Sequence, residues 1–190
     1  PTSFDAPPPL APSGNPGELR DRFEVGARLG YGRALGGTET GNLFQVPAHV
    51  PITLEAGIRT SPRVSLLLGF QYAPLFRSGC IDGRSCSGRA LKGTGTIVYH
   101  FKPGASFEPW FGYSVGYEVI QLNGPMQYSV RKAIELMNIQ VGGDWLLSGA
   151  TAEQPMRLGP FVGLTVDVAT DRTPTAHNWG VLGVRGTIDL

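Results

Sequence analysis

From Pro109 to Val119 the chain alternates without a break. Pro109, Phe111, Tyr113, Val115, Tyr117 and Val119 fall on one side, and Trp110, Gly112, Ser114, Gly116 and Glu118 on the other. A period of two marks a β-strand with one apolar face. The charged residue shares its face with glycine and serine, while the bulky residues crowd the opposite side. A soluble barrel needs the reverse, because its core is greasy and its outside is wet. Bulk outside and small or polar residues inside is the pattern of a strand in the wall of a barrel that faces lipid.

The same alternation recurs along the chain and predicts eight strands. They cover Arg22–Arg33, His49–Arg59, Arg63–Ala73, Ala90–Phe101, Phe107–Leu122, Ala133–Leu146, Leu158–Ala169 and a last strand ending at Leu190. Each is long enough for the roughly 9–11 residues that a tilted transmembrane strand requires. The connections alternate in length. Ala34–Ala48, Pro74–Gly88, Asn123–Val130 and Thr170–Ala176 are longer and polar, whereas Thr60–Pro62, Lys102–Ser106 and Ser148–Pro155 read as turns. An even number of strands with short turns at one end and longer loops at the other predicts an all-β, eight-stranded antiparallel up-and-down transmembrane barrel spanning residues 19–190. Both termini then lie at the short-turn end, which in a bacterial outer membrane is the periplasmic side. Residues 1–18, rich in Pro, Ser and Gly, predict a flexible periplasmic tail.

Aromatics gather near strand ends. Phe23, Phe101, Phe107 and Trp145 fall by the short turns, and Tyr31, Tyr72 and Tyr117 by the long loops. Two such belts predict girdles at the two membrane interfaces. No Asp, Glu, Lys or Arg falls at the middle of any apolar face, where a charge in lipid would cost roughly 2–4 kcal/mol.

Composition sharpens this picture. Charged residues make up 16% of the chain, well under the roughly 25% of soluble domains, as expected when the outer wall needs no charge. The formal net charge of +1 and the lack of a basic run exclude a nucleic-acid partner. The opening at Pro1 rather than Met fits a processed, exported chain. Cys80 and Cys86 stand close together in SGCIDGRSCSG. A disulfide closing a small loop in an oxidising compartment is the expectation, with free thiols as the alternative. Zinc there would need two further soft ligands, and none of the three histidines has the spacing, so neither metal nor cofactor is predicted.

The segments CSG–LKGTGTIVYHFKPGASFEPWFGYSVGYEV and KAIELMNIQVGGDW carry a family resemblance. The chain resembles the small eight-stranded outer-membrane barrels of the OmpA/OmpX/OmpW type and, more narrowly, predicted outer-membrane barrel proteins of myxobacteria. The likeness implies the fold and the outer membrane but names no catalytic residue. Chains of this class often end on an aromatic residue used in assembly, whereas this one ends on Leu190.

Eight strands enclose a space just wide enough for side chains to fill. The inward set includes Glu24, Arg28, Glu55, Lys92, Glu118, Asp144, Asp167 and Arg185, together with Arg22, Arg59, Arg63 and Asp189. Buried charges persist only when paired, so these residues predict a polar network plugging the lumen. Arg28 and Arg185 are expected at similar depth, with Glu55 on the adjacent second strand, and Lys92 opposite Glu118. The function expected is a membrane-anchored scaffold in the lipid bilayer, with protein partners reached through loops, tail or outer wall. The alternatives are a narrow pore or transporter for small or hydrophobic solutes, opening laterally where outward Gly93 and Gly95 thin the wall, and a lipid-modifying enzyme at the rim. The last would use His49 or His177 with Ser129 and Asp171, a set that no spacing links. GYGRALGG lacks the Lys and Ser/Thr of a phosphate loop.

Overall fold

The computed structural model describes residues 22–37, 46, 48–76, 87–123, 128–147, 154–170 and 176–190. Cys80, Cys86 and the Pro-rich stretch 1–18 lie outside them. The elements are β1 (Arg22–Gly37), β2 (Ala48–His49), β3 (Ile52–Ser61), β4 (Val64–Phe76), β5 (Ser87–His100), β6 (Phe107–Asn123), β7 (Tyr128–Leu146), β8 (Met156–Ala169) and β9 (Ala176–Asp189). All neighbours are antiparallel, and β1 pairs with β9 to close the sheet.

Nine strands make eight wall positions, because β2 and β3 are two pieces of one. Both lie between β1 and β4. The break falls at Val50–Pro51, where proline has no N–H to give the ladder. The wall stays bonded there: Gly30 N donates to Pro51 O (2.9 Å) and Val50 N to Pro74 O (3.2 Å).

Period-2 alternation sets which side chains point out. Leu54, Leu66, Leu68, Phe70, Ile97, Val115, Val141, Val162, Leu164, Leu182 and Val184 are all exposed on the outer wall. The seven girdle residues Phe23, Tyr31, Tyr72, Phe101, Phe107, Tyr117 and Trp145 are exposed as well. Phe107 and Trp145 sit directly opposite each other on β6 and β7, ring centroids 5.0 Å apart. A double-mutant cycle with Phe107→Ala and Trp145→Ala should therefore give a coupling of about 0.5–1.5 kcal/mol in urea unfolding. A coupling near zero would make them independent lipid anchors.

Two expectations need correction. The connection read as Asn123–Val130 shrinks to residues 124–127, since β6 and β7 run to 17 and 19 residues. It is shorter than the stretch 147–155 between β7 and β8, so the long/short alternation of connections fails there. At about 3.3 Å per residue and a tilt near 40°, strands this long outrun a hydrocarbon band about 25 Å tall. Their upper ends stand above the lipid, which is why polar Gln121, Ser129 and Lys132 belong to the sheet. Arg63, expected inside, is exposed and donates to the Tyr99 hydroxyl (3.3 Å). The register slips between Arg59 and Ser61 at this hairpin, so parity no longer carries through the turn.

Candidate functional site

The site is the lumen, and strand register stacks its side chains in tiers. At the short-turn end, Arg59 on β3 reaches across to Glu108 on β6 (Nη2–Oε1 2.6 Å) while also donating to Pro62 O. Arg157 holds Asp189 (2.7 Å), and His100 Nδ1 lies 2.5 Å from the same Glu108 oxygen that Arg59 grips. The Ser65 hydroxyl donates to Glu24 (2.8 Å), joining this tier to the next.

The middle tier centres on Arg185, which is wholly buried. Its guanidinium fork donates to Glu24 (2.6 Å), Glu55 (2.8 Å) and Asp144 (3.1 Å), carboxylates from three different strands. Arg28 stands directly opposite Arg185 in the β1–β9 ladder. Like charges facing each other destabilise a sheet, and here Glu55 answers both, its second oxygen 2.6 Å from Arg28. Arg28 also bonds Gln140. Both guanidiniums lie over the Trp110 ring, at 5.6 and 5.0 Å from its centroid. Trp110 fits inside only because Gly142 is bare: a Cβ there would strike its indole.

The upper tier is built from Lys92, Glu118, Glu135, Asp167 and His177. Lys92 opposes Glu118 across β5–β6, Glu135 opposes Asp167 across β7–β8, and Asp167 opposes His177 across β8–β9. Lys92 Nζ lies 2.8 Å from Glu135, 3.1 Å from Asp167 and 3.8 Å from Glu118. Above it the lumen turns apolar, filled by Val46, Ala73, Leu75, Ala90, Ile120, Leu122 and Trp179. A cavity of about 50 Å³ lies between the middle and upper tiers, walled by Thr94, Thr96, Ser114, Asn138, Glu118 and His49 among others. At about 10–15 Å³ of such space per molecule it holds a few waters.

All eight expected interior residues (Glu24, Arg28, Glu55, Lys92, Glu118, Asp144, Asp167 and Arg185) are thus buried in the lumen, divided between two tiers. Glu108, Glu135 and Arg157 join them without having been singled out in the sequence. Glu135 was hidden by a register shift between Glu135 and Met137, and Arg157 because its strand starts two residues earlier than read. The rim histidines are corrected: His49 and His177 are buried inside, His49 edge-on to Trp179 (4.4 Å) and His177 beside Glu118 and Asp167. Asp171 lies outside the described residues, and no described contact joins either histidine to a serine nucleophile. The wall at Gly93 and Gly95 is intact, each residue paired on both sides in continuous register.

No family model and no curated protein matches this chain. Solved structures do. Neisserial surface protein A superposes with a TM-score of 0.54 at 13% identity, covering 86% of this chain and 95% of its own. OprG from Pseudomonas aeruginosa gives 0.57 at 11%, covering 90% and 97%. AlkL, solved in lipid bilayers, gives 0.50 at 14%, covering 100% and 97%. The chain has the fold of the small eight-stranded outer-membrane β-barrels. The apolar wall is its lipid face, and the buried, salt-bridged tiers are its lumen. At these identities the likeness fixes the fold and leaves the task to be argued from the barrel's own interior.

Proposed function

We propose that the barrel is a membrane-anchored scaffold, closed to solutes, that works through what it presents at its two ends. The carrying observation is the set of ties that cross the lumen between strands that are not neighbours. Arg59 on β3 bonds Glu108 on β6, Lys92 on β5 bonds Asp167 on β8, and Arg185 on β9 bonds Asp144 on β7. Ties at three depths, with Trp110 and Phe161 packed between them, interrupt a continuous path along the lumen. Opening a path would mean separating buried ion pairs, each costing several kcal/mol.

The interaction surface then consists of the loops after β1, β4, β6 and β8 at one end and the N-terminal stretch at the other. In this reading the termini are periplasmic and residues 1–18 are a tether. A lateral route for apolar solutes draws no support from Gly93 and Gly95, which keep continuous register with both neighbouring strands. A rim enzyme draws none from the buried His49 and His177.

Single-channel recording of the refolded barrel in a planar bilayer tests the proposal. The expected record is silent, with insertion verified separately. Reproducible current steps that vanish in Lys92→Gln or Glu118→Gln would make the lumen a conduction path and end the scaffold reading.

A further inference from the structure

The upper tier holds one ammonium against three carboxylates. Lys92 is the one ammonium facing Glu118, Glu135 and Asp167, in a site where these acids and His177 are all buried. Uncompensated buried charge is expensive, so carboxylates that outnumber their ammonium favour a further cation. We propose that it binds one divalent transition ion of the zinc class through His177 Nε2, Glu118 Oε2 and Asp167 Oδ2.

The distances single out these atoms. In the other two tiers every acid has at least one close basic partner, such as His100 to Glu108 at 2.5 Å and Arg185 to Glu24 at 2.6 Å, beside longer contacts such as Arg157 to Glu108 at 3.5 Å. His177 Nε2 instead stands 3.4 Å from Glu118 Oε2 and 3.6 Å from Asp167 Oδ2. The contact to Glu118 is a long hydrogen bond, well beyond the roughly 2.7–2.9 Å of a charge-assisted one. It matches the edge of a tetrahedron around zinc, about 3.3–3.6 Å for bonds of about 2.0–2.2 Å. The three ligand atoms lie within 4.8 Å of one another.

Lys92 does not fill this position. It faces Glu118 through Oε1 and lies nearer Asp167 Oδ1 (3.1 Å) than Oδ2 (3.4 Å), with its shortest contact to Glu135. Glu118 therefore turns Oε1 toward lysine and Oε2 toward imidazole, while Asp167 gives lysine its shorter contact through Oδ1 and shares Oδ2 between lysine (3.4 Å) and imidazole (3.6 Å). The Asp167–His177 cross-strand pair sets two ligands by register alone, and Glu118 comes from β6, so the site forms only in the closed barrel. A second buried imidazole lies on the same cavity as Glu118. His49, 6% exposed with Nδ1 unpartnered, lines the water-sized cavity together with Glu118. An imidazole with two carboxylates suits zinc-class ions better than magnesium or calcium, which prefer all-oxygen shells.

The test uses the untagged, full-length chain, refolded in detergent, stripped with chelator and titrated with zinc chloride against a chromophoric chelator. Cobalt chloride serves in parallel as a visible-band reporter of tetrahedral geometry. The expected result is one saturable equivalent per folded barrel and a tetrahedral cobalt spectrum. Binding should weaken about 100-fold or more in His177→Gln and in Asp167→Asn, and fall as pH drops because the ligands must be unprotonated. His100→Gln, altered at the opposite end of the lumen, should bind as the parent does. Each variant is scored only if its heat-modified gel mobility shows a folded barrel, and His177→Gln, which leaves the Lys92 contacts in place, carries the test if Asp167→Asn does not fold. No binding by the folded parent overturns the proposal. So does binding that survives His177→Gln, including binding that is lost instead in Cys80→Ser with Cys86→Ser.

Discussion

Replacing Arg185 with Met will destabilise the folded barrel by about 3–5 kcal/mol. The guanidinium is wholly buried and donates to Glu24, Glu55 and Asp144 at 2.6, 2.8 and 3.1 Å. Methionine fills much of the same volume but leaves three carboxylates in a site with little water. Arg28 still answers Glu55; Glu24 keeps the Ser65 hydroxyl, and Asp144 loses its ion pair. Arg185→Lys should fall between parent and Met, because an ammonium is a point charge and cannot hold three carboxylates in fixed directions. Adding Glu24→Gln and Asp144→Asn to Arg185→Met should recover most of the loss, since the cost lies in the stranded charges rather than in the missing attraction. Urea unfolding in detergent, followed by tryptophan fluorescence, measures all three. A loss under about 1 kcal/mol for Arg185→Met would mean that water already reaches these carboxylates, and a hydrated lumen cannot be the sealed plug proposed above.

The wall was legible in the sequence because lipid imposes one rule on every strand. Period two assigns a face, and Phe107–Asn123 keeps its even-numbered side chains inside along its whole length. Neighbour pairings followed as well: Lys92 opposite Glu118, and Arg28 opposite Arg185 with Glu55 on the adjacent strand, one inward position away. What alternation cannot supply is which residues meet across the lumen. Arg59 with Glu108, or Lys92 with Asp167, depends on how the closed sheet is staggered, a property of all the strands together. Register shifts erase the signal locally. The slip between Glu135 and Met137 moves Glu135 inside although it has the same parity as Met137, and the Lys92 tier was read without its nearest acid. The apolar upper lumen was hidden for another reason. Val119, Ile120 and Leu122 are apolar on both faces, because strands rising past the hydrocarbon no longer need contrast between outside and inside. His49 and His177 sit beside those strand ends in sequence, so they read as rim residues although both side chains turn inward.

Leu68→Arg will cost about 2–4 kcal/mol when the barrel is folded into phosphatidylcholine vesicles. Leu68 is 76% exposed, and at an exposed position of a soluble protein such a change moves stability by about 0.5 kcal/mol or less. Its partners in the sheet are Ala56 and Gly95, so nothing on the wall shields an incoming guanidinium or carries it toward water. Phe76 lies on the same face of the same strand, eight residues nearer the loops, and is also exposed. Phe76→Arg should cost only about 0–1 kcal/mol, because the charge reaches the interface there. The gap between the two variants measures depth in the bilayer independently of what the lumen does. Equal costs at the two sites would place the whole strand in one environment and remove the lipid band from this wall.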